Sequence, residues 1–151
     1  MEYICEIVET KDQPVLSIRT RTKAQDLPPL IGQAYGKIMS RMTELAVEAA
    51  GNPFVAYYNL NMEDLDVELG FPVDVKLNGE GEIQPGLIPG GLKATTMHIG
   101  PYEELSVAYE ALNKFVRFQG KEPTGVAYEY YLDGPEVPME KVRTIIVFPL
   151  K

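Results

Sequence analysis

The chain is poor in the residue types that build metal and redox sites. Its 151 residues include one cysteine, one histidine and no tryptophan. Because protein metal sites depend on clusters of cysteine, histidine and carboxylate, and no nucleotide-binding fingerprint is visible, we predict no metal and no cofactor. No Ser-His-Asp arrangement can be argued from the spacing, so no catalytic residue is assigned. The single Cys5 cannot form an intramolecular disulfide, which is typical of a reducing compartment.

Long apolar runs and an excess of basic residues are also missing. No run approaches the roughly 20 residues of a membrane span, and no signal peptide is visible, so we expect a cytoplasmic protein without membrane contact. With 14 Lys and Arg against 22 Asp and Glu, the net charge is −8. This charge disfavours binding to nucleic acid, which needs a basic face, and mildly favours cationic ligands. The alternative is that the negative net charge serves only to keep the protein soluble.

The chain repeats one order of predicted elements. Apolar periodicity and Gly or Pro boundaries predict a strand, a helix and two strands, and then the same four elements again. The predicted ranges are a strand over 15–21, a helix from 28 to about 50, strands over 54–59 and 66–75, a strand over 92–99, a helix over 102–116, and strands over 126–132 and 142–150. A further strand within residues 1–8 is also expected.

The two halves share residues as well as order. Tyr35 and Tyr109 lie 74 residues apart, and Phe71 and Phe148 lie 77 apart, as expected for a duplication. Two βαββ units predict an α+β fold, with an antiparallel sheet, two helices on one face and a ligand cleft between the repeats. We expect one domain over 1–151, with repeats over about 1–77 and 86–151. Tyr35, Tyr109 and the sole histidine, His98, are expected to be structural.

The segment 125–132 is predicted to be an aromatic strand with one carboxylate in its middle. Side chains alternate along a strand, so Ala127, Glu129 and Tyr131 share a face. A carboxylate among tyrosines is costly to bury as a charge unless it meets a partner, which is the chemistry of a site for organic cations. The alternative is that this face of the strand is solvated.

Three local patterns carry a family resemblance. They are His98 to Tyr102, Tyr128 to Leu132 followed by Asp133 and Pro135, and Thr144 to Leu150. With the duplicated order, the chain resembles the GyrI-like small-molecule-binding family over about residues 3–150. That family includes effector-binding domains of AraC-type and multidrug-sensing regulators, and free-standing single-domain proteins. No DNA-binding segment is visible, so we expect a free-standing member.

The resemblance implies an aromatic pocket with a glutamate that pairs with lipophilic cations. Glu129 matches that glutamate. The predicted ligand-binding residues are Glu129, Tyr131, Tyr58, Ala127, Ile145 and Tyr102, although Tyr102 also suits packing at a helix start. Ile145 occupies a position at which many family members carry an acid. Some members are hydrolases, and the loss of this acid argues against predicting that activity for this chain.

Three functions follow from the resemblance and the residues. The favoured one is capture of hydrophobic, cationic small molecules, with Glu129 as the counter-charge. The alternatives are a hydrolase of electrophilic small molecules, which would use Glu129 with a pocket tyrosine, and a gyrase-inhibitor-like interaction module with an acidic surface. The possible protein partners are a transcription regulator or a topoisomerase.

Overall fold

A computed structural model describes residues 2–151. Its elements are β1 (Cys5–Thr10), β2 (Gln13–Thr22), α1 (Leu27–Glu44), β3 (Phe54–Tyr57), β4 (Leu65–Pro72), β5 (Gln84–Ile88), β6 (Gly91–Ile99), α2 (Leu105–Phe118), β7 (Ala127–Tyr131) and β8 (Arg143–Pro149). The predicted α+β class and the duplicated βαββ order are confirmed. Within the described residues, neither helix has the length and apolar character that a membrane span needs.

The chain divides into two compact units. The N-terminal unit comprises residues 11–89, and the C-terminal unit comprises residues 90–151 together with the described part of 1–10. Strand order in the N-terminal unit is β3-β4-β2-β5, and in the C-terminal unit it is β1-β6-β8-β7. All these pairings are antiparallel.

Each unit is a βαββ repeat extended by one edge strand. In the N-terminal unit the repeat is β2-α1-β3-β4, and in the C-terminal unit it is β6-α2-β7-β8. The edge strands are β5, which pairs with β2, and β1, which pairs with β6. Strand β5 was not predicted, because its Pro85 and Gly86 interrupt the alternation that marks a strand.

The core of the C-terminal unit lies between α2 and one face of its sheet. It is formed by buried apolar side chains of β6, α2 and β8: Ala94, Ala108, Leu112, Val116, Ile146 and Phe148. The spacing of three and four residues along α2 places its apolar positions on a single stripe that faces the sheet. Every strand residue that pairs laterally with Ile146 or Phe148 therefore lies on the α2 side.

Helix α1 begins as predicted but ends earlier. Prolines occupy its first turn, where a missing N–H costs nothing. The helix stops at Glu44 rather than near Gly51, because Ala46 adopts a left-handed conformation with φ of 56°. The N–H of Val47 then donates to the carbonyl of Met42 at 3.0 Å, which closes the helix end with a Schellman-type bond.

The strand registers define which residues of the two repeats correspond. Val55 pairs with Leu69 in the N-terminal unit, and Glu129 pairs with Ile146 in the C-terminal unit. The shared spacing of 74 residues makes Val55 the counterpart of Glu129 and Tyr57 the counterpart of Tyr131. Tyr58, one of the predicted ligand-binding residues, therefore corresponds to neither Glu129 nor Tyr131.

Candidate functional site

Glu129 is buried on the α2 side of its sheet. Its exposed fraction is 7%, and it pairs laterally with Ile146, which belongs to the core beneath α2. The alternative of a solvated Glu129 face is therefore wrong. A buried carboxyl group has to be satisfied by hydrogen bonds or a counter-charge, since desolvation otherwise costs several kcal/mol, about 2–7 for a polar group.

Two tyrosine hydroxyls supply hydrogen bonds to this carboxyl group. Tyr109 of α2 donates to Oε2 of Glu129, and Tyr131 donates to Oε1 at 2.7 Å. The ring of Tyr109 packs against Phe148, with 5.6 Å between ring centroids, so the helix and the core hold the hydroxyl in place. We call Glu129, Tyr109 and Tyr131 the glutamate–tyrosine cluster.

Tyr102 lies at the outer edge of the glutamate–tyrosine cluster. It opens the short 3-10 turn that precedes α2, and its ring meets that of Tyr131 edge to face at 5.9 Å. Burial raises the pKa of the Tyr102 hydroxyl, and the negative charges of Asp133 and Glu129 raise it further. Tyr102 remains 42% exposed.

His98 holds the backbone that leads into this turn. Its ring is 1% exposed, with Nδ1 2.8 Å from the hydroxyl of Tyr3 and Nε2 3.1 Å from the carbonyl of Pro101. Because a carbonyl oxygen can only accept, Nε2–H donates to Pro101 and the Tyr3 hydroxyl donates to Nδ1. These contacts agree with the structural role predicted for His98.

Asp133 and Arg143 close the hairpin beside the cluster. The backbone N–H and the guanidinium of Arg143 donate to the Asp133 carboxylate at 2.8–3.1 Å. These hydrogen bonds hold the pKa of Asp133 below its ordinary value and raise the pKa of Arg143. The pair fixes the ends of β7 and β8, which carry the cluster and its neighbours.

The structure brings four of the six predicted ligand-binding residues together. Tyr131 contacts both Glu129 and Tyr102, and Ala127 packs against the core on the same face of β7 as Glu129. Ile145 pairs with Tyr130 and therefore lies on the opposite face of the sheet.

Tyr58 lies in the N-terminal unit. Its hydroxyl donates to Oε1 of Glu68 at 2.5 Å, and the guanidinium of Arg19 lies 3.8 Å above its ring. Glu68 pairs laterally with Ala56, on the face of its sheet that points away from α1. Ser17 also donates to Glu68, at 2.6 Å.

Tyr109 is the cluster member that the sequence assigned to core packing. Its counterpart Tyr35 follows that expectation, because it contacts Phe71 and donates to the backbone carbonyl of Phe54 at 2.8 Å. Tyr109 instead donates to a side chain, since Glu129 stands where the N-terminal unit has Val55. The matched spacing of the two tyrosines, read together with that difference, is the signal that identifies Tyr109.

Comparison with known proteins assigns the family. The model of the GyrI-like small molecule binding domain matches residues 4–151. The chain belongs to this family. The GyrI-like domain described here is accordingly a small-molecule binding domain, and no curated protein matches it.

Solved structures share the GyrI-like fold over nearly the whole chain. The EcmrR C-terminal domain is 26% identical, with a TM-score of 0.77 and coverage of 100% of this chain and 99% of that one. EcmrR in its DNA complex is 24% identical, with a TM-score of 0.83; the match covers 99% of this chain, which spans 57% of that protein. SAV2435 bound to tetraphenylphosphonium is 14% identical, with a TM-score of 0.71 and coverage of 100% and 94%.

Proposed function

We propose that this GyrI-like domain binds hydrophobic organic cations at the glutamate–tyrosine cluster, with Glu129 as the counter-charge. The observation that carries the proposal is a buried carboxyl group that accepts hydrogen bonds from two tyrosine hydroxyls. A cation that reaches Glu129 gains charge pairing in a poorly solvated environment. Each aromatic face that it contacts adds about 0.5–2 kcal/mol.

The overall charge and the edge of the cluster favour the same ligand class. The net charge of −8 attracts cations at long range and repels anions. Tyr102 offers a half-exposed aromatic ring next to Tyr131. SAV2435, which shares the fold, was solved with tetraphenylphosphonium, so this lipophilic cation is a suitable first probe.

The test is isothermal titration of tetraphenylphosphonium and of tetraphenylborate, which has a closely similar shape and the opposite charge. We expect the wild-type protein to bind the cation and to reject the borate. Glu129→Gln should weaken cation binding about tenfold or more, which corresponds to about 1.4 kcal/mol. Circular dichroism checks that the variant is folded.

Glu68→Gln is the matched control. Glu68 also accepts a hydrogen bond from a tyrosine, but it lies in the other unit and on the sheet face that points away from α1. Its substitution should leave the affinity for tetraphenylphosphonium within about twofold of wild type. Equal affinity of the wild-type protein for both probes, or unchanged cation affinity in Glu129→Gln, would contradict the proposal. The hydrolase and gyrase-inhibitor-like alternatives stay predictions from the sequence.

A further inference from the structure

A buried hydroxyl group lies beside the glutamate–tyrosine cluster without a partner in the protein. Thr144 of β8 is 0% exposed, and its Oγ1 has no hydrogen-bond partner among residues 2–151. Thr144 pairs laterally with Tyr131 on one side and with His98 on the other. It therefore lies on the same face of the sheet as the carboxyl group of Glu129.

Leaving a buried hydroxyl unpaired is costly, so its presence needs a reason. Nearby Thr96 shows the ordinary solution. Thr96 is also buried, on β6, and its Oγ1 donates to the carbonyl of Ile4 at 2.9 Å. Both tyrosine and histidine neighbours of Thr144 already direct their polar atoms elsewhere: Tyr131 to Glu129, and His98 to Tyr3 and Pro101.

The other repeat shows that the fold does not require this hydroxyl. Tyr57 pairs with Val67 in the N-terminal unit, as Tyr131 pairs with Thr144 in the C-terminal unit. Val67 is therefore the counterpart of Thr144, and it is completely buried. Two positions that are valine in the N-terminal unit, 55 and 67, are thus polar in the C-terminal unit, and both face α2.

We propose that Thr144 is a specificity-determining residue, which selects cations that carry a hydrogen-bonding group close to the charge. This inference rests on the proposed function, because Thr144 would act on a ligand already paired with Glu129. Tyr131 lies directly opposite Thr144, and Glu129 is the diagonal neighbour of Thr144. The Cα atoms of Glu129 and Thr144 are therefore about 7–8 Å apart. A hydroxyl two carbons from a charged nitrogen fits this separation.

The experiment uses two quaternary ammonium probes that differ in one group. Benzyl(2-hydroxyethyl)dimethylammonium carries the hydroxyl, and benzyldimethylpropylammonium replaces it with a methyl group at equal charge. Titration of the wild-type protein should show that the hydroxyl probe binds roughly two to twelve times more tightly, as expected for one net hydrogen bond. In Thr144→Val, which recreates the residue of the N-terminal unit, this preference should vanish.

Three further measurements separate the possible outcomes. Glu129→Gln should weaken both probes alike, and Thr144→Ser should keep the preference. Without ligand, Thr144→Val should melt no lower than wild type, whereas Thr96→Val should melt lower because it loses a hydrogen bond to Ile4.

Wild-type binding of both probes with equal affinity would overturn the role of Thr144 while leaving the proposed function standing. Absence of binding to either probe, together with absence of binding to tetraphenylphosphonium, would overturn both. A lower melting temperature of Thr144→Val with an unchanged probe preference would assign the hydroxyl to the fold and contradict the inference. If Thr144→Val does not fold, the wild-type preference and its loss in Thr144→Ala decide the question.

Discussion

Removal of the Tyr109 hydroxyl tests the physical basis of the cluster without any ligand. Tyr109→Phe keeps the ring against Phe148 and deletes the donor to Oε2 of Glu129. The acceptor belongs to Glu129, which is only 7% exposed, so water cannot readily replace the lost donor. Hydrogen bonds to charged groups contribute about 1.5–3 kcal/mol, and we expect a loss of that size in the free energy of unfolding.

The matched control is Tyr35→Phe. Tyr35 occupies the corresponding place on α1, packs against Phe71 and donates to the neutral backbone carbonyl of Phe54. Loss of a neutral hydrogen bond costs about 0.5–1.5 kcal/mol. Urea unfolding at neutral pH, followed by circular dichroism, should therefore show a larger loss for Tyr109→Phe than for Tyr35→Phe.

A second background makes the comparison stricter. Glu129→Val places in the C-terminal unit the residue that the N-terminal unit has at Val55. In that background Tyr109→Phe should be nearly neutral, because both partners of the hydrogen bond are then apolar. The reasoning would be refuted if Tyr109→Phe cost no more than Tyr35→Phe, or if its cost were the same with and without Glu129.

Two further predictions concern the frame around the site. Gly70→Ala should strongly destabilise the N-terminal unit, because a Cβ at this position would lie 2.5 Å from the carbonyl oxygen of Leu16. A Cβ at Gly36 of α1 meets nothing within 4 Å, so Gly36→Ala should stabilise the protein by up to about 1 kcal/mol. Equal unfolding midpoints for the two variants would contradict this prediction. The pKa of Asp133 is lowered by Arg143, so the stability from this pair is present above the ordinary aspartate pKa of 3.8 and is lost as the pH falls through the lowered value. Between about pH 6 and pH 3, the free energy of unfolding measured in urea should therefore fall less for Asp133→Asn than for wild type. An identical fall in both proteins would show that the Asp133–Arg143 pair does not contribute to the loss of stability in acid.

The fold was largely predictable because its signals are local. Helical periodicity, proline at helix starts and alternation along the strands indicate both βαββ repeats, and the pair Tyr35 and Tyr109 indicates the duplication. The edge strand β5 and the early end of α1 were not predictable. Pro85 interrupts the strand pattern of β5. The early end of α1 depends on Ala46 adopting a left-handed conformation that alanine rarely takes.

The site was predictable in its centre and not in its register. Alternation correctly placed Ala127, Glu129 and Tyr131 on one face, because it needs only neighbouring residues. The partner of Glu129 on α2 and the exclusion of Ile145 depend on how strands pair and how the helix packs on them. The predicted ligand-binding residue was Tyr58, whereas the counterpart of Tyr131 is Tyr57. The choice between these neighbouring tyrosines requires the strand pairing, since a shift of one residue reverses the face on which a side chain lies.

Strand β1 directly precedes the N-terminal repeat but pairs with β6 of the C-terminal repeat, and β5 directly precedes the C-terminal repeat but pairs with β2 of the N-terminal repeat. This exchange of edge strands has a consequence for synthesis on the ribosome. Strand β1 emerges first, but its partner residues in β6 follow 81 to 91 positions later, from Thr10 with Gly91 to Cys5 with Thr96. At about 5–20 residues per second, β1 waits roughly 4 to 18 seconds for its partner. The N-terminal unit, residues 11–89, is synthesised during that interval, while β1 has an unpaired backbone edge that favours mispairing. Translation speed across residues 11–90 should therefore influence the yield of folded protein.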